Sequence, residues 1–261
     1  MSKSIVIDCF PENVRLYREG YAVVVVDVIR ATTVAITAAA MGRRCFPVAS
    51  VEAAWALKAT LDNPLMAGEV AGCIPDGFDI NNSPVDLAAR TDVSRPIILL
   101  SSSGTKLMHA ARECEIAYPA CFRNYEFLSS YLMEHHSRIA VIGAGTRGEF
   151  REEDQMCCSW IAERLMKAGF ESENEKTSEL VELWSNASPD ACTAGKSADY
   201  LRRSGQLKDL DFTIACINDI NSVFVIRDGE VVLLPSEGLP DPLLLRPASK
   251  DAFPNRFDDK I

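Results

Sequence analysis

Short β-branched runs recur along this chain between residues 4 and 234, each followed by an alanine- and leucine-rich stretch of helical period. Apolar runs bounded by turn residues read as strands covered on both faces, and the 3.6-residue periodicity between them reads as helices laid across those faces. The pattern predicts strands at about 4–8, 22–27, 45–48, 64–67, 96–102, 138–143, 211–216, 222–226 and 230–234. It predicts helices at about 31–42, 50–61, 84–90, 105–112, 123–136, 154–169, 177–186 and 196–204. This alternation gives an α/β class: a mixed, largely parallel central sheet covered by helices on both faces, as a single domain over 1–261.

Local signals support particular boundaries. Ser50 stands where an N-cap belongs, and Gly169 follows Met166-Lys167-Ala168 as a C′ glycine does. Asp228-Gly229 between two apolar runs is a hairpin signal, which makes the sheet mixed rather than wholly parallel. The polar segment at 171–179 reads as a surface connection, and the tail from Pro235 as a chain extended over the surface.

Composition narrows the class of partner. The 261 residues are 48% hydrophobic and 25% charged, ordinary for a globular protein, with a net charge of −10. No basic cluster interleaved with aromatics occurs, so neither nucleic acid nor an anionic membrane is expected as partner. The opening Met-Ser-Lys-Ser-Ile-Val-Ile-Asp has no signal-peptide h-region, and no apolar stretch reaches the roughly 20 residues of a membrane span; a cytoplasmic protein is expected. Nine cysteines without a C-x-x-C, two of them adjacent at Cys157-Cys158, read as reduced thiols in the interior. The oligomeric state is left open, a homo-oligomer included.

Candidate chemistry gathers where strands end, because ligands of α/β sheets bind beyond the carboxyl ends of their strands. Asp27-Val28-Ile29-Arg30-Ala31-Thr32-Thr33 follows the run VVVV. Gly68-Glu69 ends a second strand and opens the loop VAGCIPDGFDINNSP. Ser101-Ser102-Ser103-Gly104-Thr105 leads from a third strand directly into a helix, and RIAVIGAGTRGEFREED carries glycines and acids after a fourth. Each group also has a plain structural use: Asp27 or Thr32 as a helix cap, Ser103-Gly104-Thr105 as a tight turn, Glu69 as a solvated charge. Together they suit one chemistry, with carboxylates for a hard divalent cation and hydroxyl, amide and guanidinium donors for a small dianion, as phosphoryl transfer requires.

Gly143-Ala144-Gly145-Thr146-Arg147-Gly148 is also a literal G-x-G-x-x-G. The acidic run Glu149 to Asp154 sits where a pyrophosphate would lie, and no apolar strand follows to carry a ribose-binding acid, so a dinucleotide site is disfavoured. Phosphatase templates built on Asp-x-Asp, C-x5-R or Arg-His-Gly are not met. His135-His136 reads as a solvated pair compensating a helix C-terminus.

Four segments in order resemble the magnesium-dependent 2-phosphosulfolactate phosphatases, the ComB-type family, over residues 22 to 234. VVVVDVIRATT resembles its opening strand and Asp-x-x-Arg-Ala-Thr-Thr turn, and GEVAGCIPDGFDINNSP its Gly-Glu-Arg…Gly-Asn-Ser-Pro loop. LLSSSGTK stands where the family has Thr-x-Asn-Gly-Thr, and IGAGTRGEFREED resembles its Cys-Ala-Gly…Glu-Asp segment. The resemblance implies hydrolysis of the phosphate monoester of a small sulfonated hydroxy acid with Mg²⁺, on the route to coenzyme M. It makes Asp27, Arg30, Glu69 and Asp154 the catalytic candidates, with Asp27, Glu69 and Asp154 as metal ligands. Thr32, Thr33, Asn82, Ser83, Ser103, Gly104 and Thr105 become the substrate-binding candidates. Whether Asp27 attacks phosphorus or orients a water is left open. Val70, Asn81 and Ser103 depart from the family pattern and bear on the substrate. The alternative expectation is a binding protein for a small phosphorylated or sulfonated anion on the same scaffold.

Overall fold

A computed structural model describes residues 2–235. The strands among them are β1 (Ser4–Cys9), β2 (Ala22–Val26), β3 (Cys45–Val48), β4 (Leu65–Gly68), β5 (Ile97–Leu100), β6 (Ile116–Ala120), β7 (Arg138–Gly143), β8 (Glu171–Ser172), β9 (Phe224–Arg227) and β10 (Glu230–Leu233). The helices are α1 (Ala31–Ala40), α2 (Val51–Lys58), α3 (Pro84–Ala88), α4 (Gly104–Ala110), α5 (Tyr125–His135), α6 (Glu152–Lys167), α7 (Glu175–Trp184), α8 (Lys196–Arg203) and α9 (Leu207–Ala215).

The class is α/β, with the strands divided between two five-stranded sheets. The first runs β6-β2-β7-β1-β8 and is parallel throughout. The second runs β4-β5-β3-β10-β9; β4, β5 and β3 are parallel, and the hairpin β9-β10 joins them antiparallel. Periodicity marks a strand but does not name its partner, so this division is not visible in the pattern.

The apolar run of β2 fills both faces of the first sheet. Val23 and Val25 enter one cluster with α1, α4 and the inner face of the second sheet, where Ile97, Leu99 and Phe224 lie. Val24 and Val26 enter another with α5 and α6, against Leu128, Met156 and Ile161. The outer face of the second sheet packs on α2 through Met66, Ile98 and Ala54. Helix α1 is thus held between two sheets and buried continuously from Ala31 to Ala38, which explains its alanine-rich sequence without a polar face.

Four expectations change. Residues 211–216 are not a strand: they continue α9, whose buried residues Asp209, Leu210, Phe212 and Thr213 have helical spacing once Asp209 is counted among them. Strand β6 was absent from the pattern because Pro119 interrupts it, and it is tolerated because β6 is an edge strand. The polar segment at 171–179 contains β8 and the first turns of α7, capped by Asn174, whose side chain accepts from Thr177 N. His136 is not simply solvated: it is half-buried, its Nε2 lies 2.8 Å from Tyr118 Oη, and burial lowers its pKa. Ser50 caps α2, Gly169 ends α6 at φ +92°, and Asp228-Gly229 turns the hairpin at φ +51° and +80°. The tail expected to lie over the surface falls, beyond Pro235, outside the described residues. Among the described residues no helix is long and apolar enough to cross a membrane.

Candidate active site

Strand pairing brings the site residues together. Val26 is opposite Gly143, and Ala144 N donates to Val26 O at 2.8 Å, so the segments after β2 and β7 leave the first sheet side by side. Gly68 is opposite Leu100 in the second sheet, which sets Glu69 beside Ser101 and Ser102. The two sheet ends converge where Gly104, the first residue of α4, abuts Asp27: a methyl group at Gly104 would run into Asp27 Oδ2. Here glycine is required by close approach, not by dihedral angle.

Asp27 is the centre of this convergence. Ala31 N donates to its Oδ1 at 3.3 Å, and the nearby Gly104 backbone amide acts to lower its pKa. Its own N–H donates to Thr32 Oγ1 at 3.0 Å, and Thr32 Oγ1 donates back to Asp27 O at 2.7 Å. Thr33 Oγ1 donates to Val28 O at 2.7 Å. Thr32 and Thr33 therefore fix the strand-to-helix turn and have no open hydroxyl, and Thr105 does the same after β5 by donating to Ser101 O. The three threonines shape the site without reaching a ligand.

Asp154, in the first turn of α6, accepts from Val28 N at 2.8 Å and is buried beside Asp27. Burial raises the pKa of both carboxyls; Glu69 adds to this at Asp27, and Asp27 and Glu153 add to it at Asp154. Glu153 is also buried and raised by burial, and its Oε2 has no partner. Glu69 is differently placed: its Oε1 accepts from Ser102 N at 2.6 Å, and its Oε2 from Gly72 N at 2.6 Å and Ser102 Oγ at 3.0 Å. Among the described residues no three His, Cys, Asp or Glu side chains gather into a metal-holding cluster, so Asp27, Glu69 and Asp154 do not form a ready-made cage.

Arg30 is also committed. The peptide before it is cis, its guanidinium is ion-paired with Asp209 of α9, and Nη1 donates to Gln206 Oε1 at 2.6 Å. Ser83 caps α3 and donates to Asp209 Oδ1 at 2.6 Å. Asn81 donates to Gln206 Oε1 at 3.0 Å and accepts from Asn82 N at 2.6 Å. Arg30, Asn81 and Ser83 thus bind α9 to the wall rather than standing open to an anion. Asn82 is the exception: it is 3% exposed, faces the cavity, and its Oδ1 has no partner.

The cavity above Asp27 has a volume of about 560 Å³. Asp27, Arg30, Glu69, Asn82 and Ser101 to Ser103 line one side. Arg147 and Arg151 from the segment after β7, and Lys196, Ser197, Tyr200 and Arg203 from α8, line the other. Glu149 pairs with both Arg151 and Lys196, each at 2.6 Å. Tyr200 Oη donates to Gly72 O at 2.9 Å and so latches α8 to the loop after β4. Val70 is 46% exposed in that loop and is not part of the lining. The α8 residues were missed because α8 does not follow a strand, so a search of strand ends passes over it; Arg147 lay within a segment already singled out, but as part of the glycine pattern.

The model of the family described as 2-phosphosulpholactate phosphatase matches residues 9–229. A protein of Clostridium perfringens (strain SM101 / Type A) named probable 2-phosphosulfolactate phosphatase is 28% identical over 225 residues, 84% of this chain and 91% of its own. One of the same name from Synechococcus sp. (strain CC9605) is 28% identical over 214 residues, 78% and 87% of the two chains. Another of that name, from Pseudothermotoga lettingae, is 34% identical over 148 residues, 56% and 63% of the two.

Proposed function

The chain belongs to the 2-phosphosulpholactate phosphatase family, and from that premise we propose that it hydrolyses the phosphate monoester of a small anionic hydroxy acid, 2-phosphosulfolactate foremost, with Mg²⁺ as cofactor. The observation that carries the reading is Asp27, which lines a cavity whose opposite wall is cationic and has the buried Asp154 beside it.

The donor set suits Mg²⁺. Asp27 and Asp154 are hard oxygen donors, and their raised pKa values reflect negative charge buried without sufficient compensation. The lack of a three-carboxylate cage is consistent with this ion, which takes one or two carboxylates and keeps waters and substrate oxygens for its other positions. Asp27 and Asp154 would hold it, and when bound it would supply positive charge to the phosphoryl oxygens. Glu69, held by Ser102 and Gly72, orders the rim instead.

The remaining work falls to the chain's own groups. Asp27, held by Ala31 N and packed against Gly104, orients the attacking water and accepts its proton. Asn82 and Ser103 offer hydrogen bonds to the substrate within the lining. Catalysis of phosphoryl transfer is largely such positioning and charge neutralisation.

Purified protein with Mg²⁺ is expected to release inorganic phosphate from 2-phosphosulfolactate, to stop when the metal is chelated, and to lose at least about 10³-fold in kcat on Asp27→Asn with its circular dichroism retained. Absence of phosphate release from a panel of small phospho-acids by folded protein would refute the proposal. Ligand binding without release would identify a binding protein instead.

A further inference from the structure

Five cationic side chains line the cavity: Arg30, Arg147, Arg151, Lys196 and Arg203. Three are spoken for: Arg30 by Asp209, and Arg151 and Lys196 by Glu149. Among the described residues Arg147 and Arg203 have no carboxylate partner, and the only hydrogen bond from Arg203 is Nε to Asp199 O at 3.3 Å. They come from different elements, the turn after β7 and the last residue of α8, yet open into the same space.

Arg147 also occupies an unfavourable backbone position. Thr146 N donates to Glu149 O at 2.8 Å and Glu149 N to Thr146 O at 3.1 Å, closing a two-residue turn with φ +53° at Arg147 and +75° at Gly148. Such turns favour asparagine or glycine at the first position, and an arginine there is retained at a conformational cost. A guanidinium kept against local preference and directed into the cavity calls for an oxyanion ligand.

Resting on the phosphatase reading above, we infer that Arg147 and Arg203 form a second anion subsite, which holds the acid groups that the substrate carries besides its phosphate. Phosphate sits toward Asp27, and the carboxylate or sulfonate of the same small molecule reaches the guanidinium pair. The subsite makes these two arginines specificity-determining: they select small phospho-acids over phosphate esters without a further negative charge.

The test compares three esters in the presence of Mg²⁺: 2-phosphosulfolactate with carboxylate and sulfonate, phospholactate with carboxylate only, and glycerol 2-phosphate with neither. The variants are Arg203→Met, Arg203→Lys, and Arg147→Asn, the last chosen because asparagine suits the turn. In Arg203→Met and Arg147→Asn, the ratio of kcat/KM for an acid ester to that for glycerol 2-phosphate is expected to fall about tenfold to a hundredfold, mainly through KM, as loss of a charge-assisted bidentate contact predicts. Arg203→Lys should fall between, since it keeps the charge but not the fork. A loss seen with 2-phosphosulfolactate but not phospholactate assigns that arginine to the sulfonate; a loss with both assigns it to the carboxylate. An unchanged ratio, or parallel losses on all three esters, overturns the subsite.

If the wild-type protein releases phosphate from none of them, the phosphatase reading fails while the subsite is still judged by calorimetry with 3-sulfolactate. Binding weakened at least tenfold in both neutral variants upholds it. Equal binding in wild type and variants, or none in the wild type, overturns it.

Discussion

At the residue scale the site depends on a missing side chain as much as on those present. Gly104 lets α4 start against Asp27, and a Cβ there would displace the carboxylate. Gly104→Ala is therefore expected to lower kcat by about tenfold or more, a displacement of about 1 Å at a reacting group being costly. The protein should remain folded, because the clash is confined to Asp27 and Ala31 at one end of a short helix. Steady-state kinetics beside a thermal melt would check both halves, and an unimpaired kcat would show that the close approach is not used. Thr32, Thr33 and Thr105 teach the opposite lesson. Their hydroxyls resemble ligand donors in the sequence, but all three are spent on carbonyls of their own turns. Identity and position after a strand were legible; which way a hydroxyl points was not, since that depends on the turn's hydrogen bonds.

At the element scale the least expected component is α9. Asp209 accepts from Arg30 and Ser83 and is 2% exposed, so one carboxylate joins α9 to the turns before α1 and α3. An apolar reading of the run from Asp211 to Cys216 stops short of Asp209 and leaves a strand; only the buried Arg30, remote in sequence, makes Asp209 an interior position. Removing one partner of a buried pair strands the other, whereas removing both can be nearly neutral. Arg30→Met is expected to destabilise by about 3–5 kcal/mol, and Arg30→Met with Asp209→Leu by less than the two separate losses combined. Urea denaturation of the four proteins in the cycle checks this; additive losses would show that the two side chains act independently. The strands of β2, β5 and β7 were legible because unbroken apolar runs between turn signals have few other readings. β6 was hidden by Pro119, which its edge position tolerates.

At the scale of the whole molecule, charge is unevenly arranged. The chain carries a net −10, yet the cavity wall formed by α8 and the turn after β7 is rich in arginine and lysine. Anions repelled elsewhere are drawn to that opening, an effect that salt should weaken. Away from the site, Asp92 gathers three arginines: Arg43 donates to its Oδ1 at 2.9 Å, with Arg90 and Arg95 alongside. The Arg90 hydrogen bond and then Arg43 hold the Asp92 carboxyl well below the usual carboxylate range. A depressed folded-state pKa stabilises above the unfolded value of about 3.9 and is lost as pH falls below it toward the folded value. Asp92→Asn is expected to cost about 2 kcal/mol at pH 7, a penalty that shrinks as pH is lowered from about 4. Denaturant midpoints across pH measure it, and a pH-independent difference would remove the carboxylate's charge from the account.

The order of the parallel sheet has one more consequence, for the time at which the cavity comes into being. Ser4 is paired with Arg138 and with Glu171, so β1 has no sheet partner until the distant β7 and β8 have followed it from the ribosome. Asp27 likewise awaits α6 for Asp154, and Arg30 awaits α9 for Asp209. Such long-range closure makes for slow folding. Synthesis must pass α9 before the pocket has both its walls, so a product interrupted earlier can carry the strand-end motifs and none of the assembled site.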